Sequence, residues 1–159
     1  MKIVFGKRNS VQEVEEGEKL LPKFDSQGLI PVITVEYSSN EILMHGYMNE
    51  EALRLSIETE KAHYWSRSRK SIWKKGEVSG LYQSIKQIKI DDDQDCVILF
   101  VNLEGFKASC HVGYKSCFYR SIPLGKISNA RQIEMKFEEK EKKFNPEEVY
   151  KGQPNPTKI

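Results

Sequence analysis

Apolar and polar residues change rhythm several times along the chain, and each change marks an element. LIPVITVEY (29–37) is rich in β-branched residues, SSNE is a turn, and ILMHGYM (42–48) is a second apolar run, which predicts a β-hairpin. NEEALRLSIETEK follows. Asn49 is a good N-cap, Glu50 and Glu51 favour a helix N-terminus, and Leu53 and Ile57 are spaced to share a face, so a helix is expected over 50–60. Residues 62–80 hold short strand-like pieces and a glycine-bearing loop, with strands expected near 82–90 and 96–103. EGFKASCHVGYKSCFYRSI (104–122) reads as loop and short strand. The fold class is therefore α+β: a small, mostly antiparallel sheet with one main helix. Residues 1–23 form a polar lead-in, either loosely held or helical, 24–122 the compact domain, and 123–159 a charged C-terminal extension. No internal repeat is present.

One stretch breaks the rhythm. In IKIDDDQDCVILF (88–100), a strand-like sequence is interrupted by Asp91, Asp92, Asp93 and Asp95. Aspartate is depleted in strands, and clustered carboxylates repel one another. On a strand, Asp91, Asp93 and Asp95 would share one face and Asp92 would point to the other. Three carboxylates on a face suit a hard divalent cation such as Mg²⁺. An EF-hand is excluded, because its glycine and twelfth-position glutamate are replaced here by Cys96 and Asn102. The alternative is a solvated acidic turn between two strands.

Composition changes this picture little. With 159 residues, 38% hydrophobic and 30% charged, the chain is most simply one globular domain with a real core. A net charge of +2 points to neither nucleic acid nor an anionic membrane. The N-terminal stretch has no apolar signal-like region and no run reaches membrane-spanning length. Three cysteines without such a signal read as reduced thiols in the cytoplasm.

Two further constellations carry chemistry. Cys110 and Cys117, with His111 beside the first, are material for a thiophilic metal. Two buried structural cysteines are the plain alternative. As ligands they are too few for a closed zinc site, so a third must come from elsewhere, including another subunit. The open position left to water is what hydrolysis needs, and His111 titrates in the range of a general base. His45 and His63 read as structural. The other constellation is KAHYWSRSRKSIWKKGEVSG, where Arg67 and Arg69 alternate as on a strand and aromatic residues interleave with Lys and Arg. Gly76, Ser79 and Gly80 allow close backbone approach. An anionic ligand containing a ring fits this stretch; a solvated basic edge strand and an RNA-binding surface are the alternatives.

Taken in order, PVITVEYSSNEILMHGYMNEEAL, HYWSRSRKSIWKKGEVSG, the D-x-D-x-D run and CHVGYKSCFYR closely resemble the phosphoribosyl-AMP cyclohydrolase family of histidine biosynthesis. The likeness covers about residues 24–121. It implies an intertwined homodimer of small α+β subunits with zinc sites at the subunit interface, acting on a small-molecule nucleotide and using Zn²⁺ and Mg²⁺ to open a purine six-membered ring hydrolytically; with the charge and thiol readings above, the expectation is a cytoplasmic enzyme without nucleic-acid or membrane partners. It implies magnesium ligation by Asp91, Asp93 and Asp95, zinc ligation by Cys110 and Cys117, and catalysis by His111. Substrate contacts would come from Trp65, Ser66, Arg67, Ser68, Arg69, Lys75, Glu77, Ser79 and Gly80. Two departures stand out. Family members usually carry cysteine, the third zinc ligand and one supplied by the partner subunit, where this chain has Asp92. Cys96 lies four residues on, about 13 Å along a strand, so Asp92 is the positional heir and Cys96 reads as a buried small hydrophobe. Carboxylate is a harder ligand than thiolate, which weakens zinc and favours competing ions. Leu81 stands where His or Asn is common, removing a polar group from the implied pocket. A diverged paralogue with another purine substrate, or an inactive metal-stabilised dimer, stays open beside the working hydrolase.

Overall fold

Apolar alternation and capping produce the predicted elements almost where they are expected. The structure, a computed structural model, describes residues 2–125 and 132–159; the stretch 126–131 of the C-terminal extension lies outside the described residues. The elements in chain order are α1 (Val11–Glu16), β1 (Leu29–Glu36), β2 (Ile42–Asn49), α2 (Glu50–Thr59), β3 (His63–Ser66), β4 (Ser71–Lys74), β5 (Gln83–Ile90), β6 (Val97–Leu103), β7 (Arg120–Ser121), β8 (Lys136–Phe137) and α3 (Pro146–Val149). The predicted hairpin is β1–β2. Asn49 caps α2 as expected, its Oδ1 accepting from the Ala52 amide at 2.8 Å. Along the helix the buried Arg54 pairs with both Glu50 and Glu51.

The main sheet has the order β2-β1-β6-β5. Its outer pairs are antiparallel, but the central pair, β1 and β6, runs parallel, from Val32 against Val97 to Glu36 against Val101. The sheet is thus mixed. Long-range pairing decides this, and the local pattern of either strand is blind to it. Val32, Leu43, Met48, Leu99 and Val101 of the sheet join Ala52 and Leu53 of α2 and Tyr64 of β3 in one buried core cluster. Each fully buried aliphatic side chain there contributes about 1.5–3 kcal/mol.

The ends of the chain also pack. Leu21 of the lead-in is fully buried, and the buried Gln94 side chain holds this segment through the Val14 carbonyl and the Leu21 amide. The lead-in is both briefly helical, at α1, and docked. At the other end β8 pairs with β7, and Phe144 enters a second cluster with Leu81 and Ala108. Among the described residues no helix is long and apolar enough to cross a membrane.

Candidate metal centre and nucleotide site

The aspartates lie in the turn joining β5 to β6. This differs from the strand face expected for them, because Asp91 organises the chain locally instead. Its Oδ1 accepts from the amides of Asp95 and Cys96, both at 2.9 Å, and its carbonyl accepts from Gln94, whose backbone is left-handed (φ 58°). The turn still gathers the predicted trio: ligand oxygens of Asp91, Asp93 and Asp95 lie within 4.8 Å of one another. Burial and the charges of Asp93 and Asp91 push the Asp95 carboxyl up from its ordinary value. Lys23 places its ammonium 3.8 Å from Asp95 and 4.0 Å from Asp93, so the turn already attracts a cation from its own chain. A crowded all-carboxylate set of this kind fits a hard divalent ion. Asp92 is exposed and outside the trio. Cys96 is half-buried rather than buried, and burial together with Asp91 and Asp95 raises its thiol pKa.

The cysteine loop is built at the opposite end of the β5–β6 hairpin. Ser109 and Cys110 donate their amides to Lys115 and Tyr114, Gly113 returns its own to Cys110, and Cys117 is tied to the Leu43 carbonyl at 2.7 Å. Gly113 (φ +107°) is required there, since a Cβ would come within 2.7 Å of the Phe144 carbonyl oxygen. The loop closes until the Cys110 and Cys117 thiols share a hydrogen bond, which draws Cys110 down to about 7 and drives Cys117 up. Two neighbouring sulfurs, one with its pKa drawn down, are a donor set that fits a soft or borderline cation once further ligands arrive.

Lys75 is the counter-charge. It is buried, donates from Nζ to the Ser109 carbonyl at 2.6 Å, and lies close enough to both thiols for their charge to oppose the downward pull of burial on its pKa. His111 sits beside Cys110. Burial first, and Lys75 second, lower its pKa from the ordinary value, while Asn155 acts in the other direction. Its Nε2 is buried without a hydrogen-bond partner among the described residues. A neutral imidazole with a free nitrogen is suited to accept a proton.

The β3–β4 hairpin joins this corner to the basic segment. Lys75 leaves its base, whereas Arg67, Ser68, Arg69 and Lys70 form its exposed tip, about 13 Å away over four residues. The arginines are in the turn, not alternating on a strand. Arg67 lies over the Tyr47 ring at 4.2 Å, and Arg69 holds Ser66 through its amide and Nε. Trp65 and Ser66 are half-buried, while Glu77, Ser79 and Gly80 lie on the turn that follows Lys75. Gly76 (φ +93°) is fixed there by the Tyr82 amide, which a Cβ would meet at 2.4 Å. The predicted residues therefore fall into three places: the acidic turn, the cysteine corner and the basic tip.

Known proteins match this chain in sequence. The family profile described as phosphoribosyl-AMP cyclohydrolase matches residues 44–119, from β2 through the cysteine loop. The Brucella canis protein named phosphoribosyl-AMP cyclohydrolase is 52% identical over 109 residues, covering 69% of this chain and 78% of its own. The chain belongs to the phosphoribosyl-AMP cyclohydrolase family. A Brucella anthropi protein of the same name is 50% identical over 109 residues (69% and 77% covered), and one from Caulobacter sp. is 49% identical over 107 (67% and 80%).

Sequence reading missed the buried polar network that this family member builds under the cysteines. The Tyr64 hydroxyl lies 2.6 Å from both Thr34 and Gln83, and Gln83 Nε2 donates to Ser109 Oγ at 3.0 Å. The only sign in the sequence is a glutamine in an apolar strand position. His63 is structural as read, buried with Nδ1 2.8 Å from the Lys61 carbonyl oxygen. His45 is exposed against Tyr47.

Proposed function

We propose that this chain is a phosphoribosyl-AMP cyclohydrolase, the hydrolase of histidine biosynthesis that opens the six-membered ring of its purine nucleotide. The observation that carries the reading is the corner where His111 leaves Nε2 free beside Cys110 and near the ammonium of Lys75. Hydrolysis forms a bond from water oxygen to C6 and breaks the N1–C6 bond, with N1 gaining a proton. His111, held neutral by burial and Lys75, accepts the water proton at Nε2 and passes it on toward N1. Lys75 and the Tyr64–Gln83–Ser109 network hold the cysteine loop in shape while this happens. The basic tip takes phosphate, with the guanidinium groups of Arg67 and Arg69 exposed at the surface to grip it.

Cys110 and Cys117 would hold zinc, and Asp91, Asp93 and Asp95 magnesium. Zinc supplies acidification of a bound water toward neutral pH. The third zinc ligand, Asp92, is assigned to the partner subunit of a homodimer. Support comes from the fold: Gln83, bonded to Ser109, opens β5, and the acidic turn follows its last residue, Ile90. That strand is roughly 23 Å long at ~3.3 Å per residue, too far for Asp92 to reach the cysteines of its own chain. The acidic trio would travel with Asp92, so each complete site takes its carboxylates from one subunit and its thiols from the other. Cytoplasm is the compartment that suits free thiols.

Turnover of phosphoribosyl-AMP with Zn²⁺ and Mg²⁺ supplied, then chelated, tests the reading. Ring opening that disappears on chelation is expected. Absence of turnover from folded, metal-loaded protein would transfer the assignment to another purine nucleotide or to an inactive dimer.

A further inference from the structure

Gln94 stands between Asp93 and Asp95, yet its side chain reaches into the lead-in. It is only 5% exposed, on a left-handed backbone (φ 58°). Both polar atoms of its amide meet lead-in main chain: Oε1 accepts from the Leu21 amide at 2.7 Å, and Nε2 donates to the carbonyls of Val14 at 2.9 Å and Lys19 at 3.3 Å. The neighbouring backbone is held as well. The Lys23 amide donates to the Gln94 carbonyl at 2.7 Å, and Arg8 Nη2 donates to the Asp93 carbonyl at 2.7 Å. The lead-in is itself pinned, by the burial of Val14 and Leu21 and by Arg54 of α2, whose Nε donates to the Ile3 carbonyl at 2.7 Å. All of this lies outside residues 44–119, where the family profile matches, except the turn and α2 themselves.

Like charges in a solvated turn drive it apart, whereas here the carboxylates of Asp91, Asp93 and Asp95 stay within 4.8 Å of one another. Fixing Gln94 fixes the main chain on either side of it, where Asp93 and Asp95 begin. The two cations of the segment act differently. Arg8 bonds main-chain carbonyls, those of Leu21 and Asp93, and so shapes the turn. Lys23 lies against the carboxylates, 3.8 Å from Asp95 and 4.0 Å from Asp93. We propose that Gln94, with Arg8, is a positioning residue: it locks the acidic turn onto the lead-in and so holds Asp93 and Asp95 for a divalent cation, with which Lys23 competes. This rests on the magnesium assignment above.

Calorimetric titration of the full-length protein with Mg²⁺ tests it. Gln94→Ala is expected to weaken Mg²⁺ binding about tenfold, the loss usual for a partner that orients a metal ligand. Removing a positive charge would by itself tighten cation binding at either Arg8 or Lys23. The lock predicts opposite signs: Arg8→Met weakens Mg²⁺ about threefold, while Lys23→Met tightens it about twofold. Unchanged affinity in Gln94→Ala, or unchanged or tighter binding in Arg8→Met, would reduce the lead-in to packing and overturn the proposal; unchanged affinity in Lys23→Met would overturn the competition. If the unmodified protein takes up no Mg²⁺, the magnesium assignment has failed instead, and amide hydrogen exchange in chelator judges the lock. The Asp95 and Cys96 amides, held by Asp91 Oδ1, then exchange faster in Arg8→Met relative to those of β1. Equal relative exchange overturns the lock too.

Discussion

At one end of the β5–β6 hairpin three carboxylates crowd together in a solvated turn; at the other, two thiols share a hydrogen bond beside a buried lysine. The acidic end concentrates like charge, and only Asp91 repays the backbone, through two amide hydrogen bonds. The cysteine end sets Lys75 against its thiols and bonds most of its polar atoms through Ser109, Gln83 and Tyr64, leaving His111 Nε2 without a partner among the described residues. The first end suits a hard ion that keeps water, the second a borderline ion that prefers sulfur. What the difference teaches is that a surplus of like charge contributes nothing to stability and so makes the acidic turn a candidate for a ligand, whereas the cysteine corner is also tied into the fold by its own hydrogen bonds.

The comparison breaks most severely at the sulfurs. Cys110→Ser removes a thiolate and is expected to cut kcat by about 10³-fold or more and to release zinc, as read by steady-state kinetics and metal analysis. Retained zinc would mean that the two ends do not differ in metal preference. Next comes a contrast inside the acidic turn. Asp93→Ala abolishes activity, yet its melting temperature in chelator stays level or rises because a repelling charge is gone. Asp91→Ala loses activity too, but also about 1 kcal/mol of stability, because two amides lose their acceptor. Equal melting temperatures for the two variants would show that Asp91 does not shape the turn.

Smaller effects sharpen the picture. Asp92→Cys, which gives the acidic end a soft ligand, tightens zinc binding in competition with a chromophoric chelator; unchanged affinity would remove Asp92 from the zinc site. The smallest effect is a pH dependence. Burial tends to raise the Glu36 carboxyl, but Lys115 and Ser39 outweigh it and hold it below its ordinary value. A carboxyl depressed in the folded state stabilises above its unfolded pKa, and that contribution is lost as pH falls through the folded one. Lys115 belongs to the cysteine loop and also reaches Glu41. Hence the melting temperature of Lys115→Met should lie below the parent's at pH 6, and the gap should shrink as pH falls below the ordinary carboxylate range. A gap that persists in acid would assign the effect to packing of the lysine stem.

How much of this was legible in the sequence depends on how local the cause is. The β1–β2 hairpin and α2 follow from apolar runs, a turn and the Asn49 cap, all settled within a few residues. The acidic trio was legible as a group because three nearby carboxylates meet in a strand or a turn alike. Its geometry was not, since the choice of turn rests on Asp91 capturing two amides. The same holds for Arg67 and Arg69, where a turn replaces a strand. The parallel pairing of β1 with β6, the burial of Lys75 and the docking of Phe144 on Leu81 join residues far apart in the chain. Leu81, read as a lost polar group, is an anchor only because a distant phenylalanine arrives.

The parallel centre of the sheet has a consequence for how the chain acquires its structure. Val32 can meet Val97 only after everything between them has been made. Until then β1 is an edge strand, LIPVITVE, with one open side, and Pro31, which has no amide to donate, is a safeguard against pairing with another chain. Contacts this distant in sequence slow folding. A nascent chain that has passed β2 and α2 but not yet reached β6 therefore carries its greatest risk of aggregation in β1, and arrival of β6 ends that risk by taking the open edge.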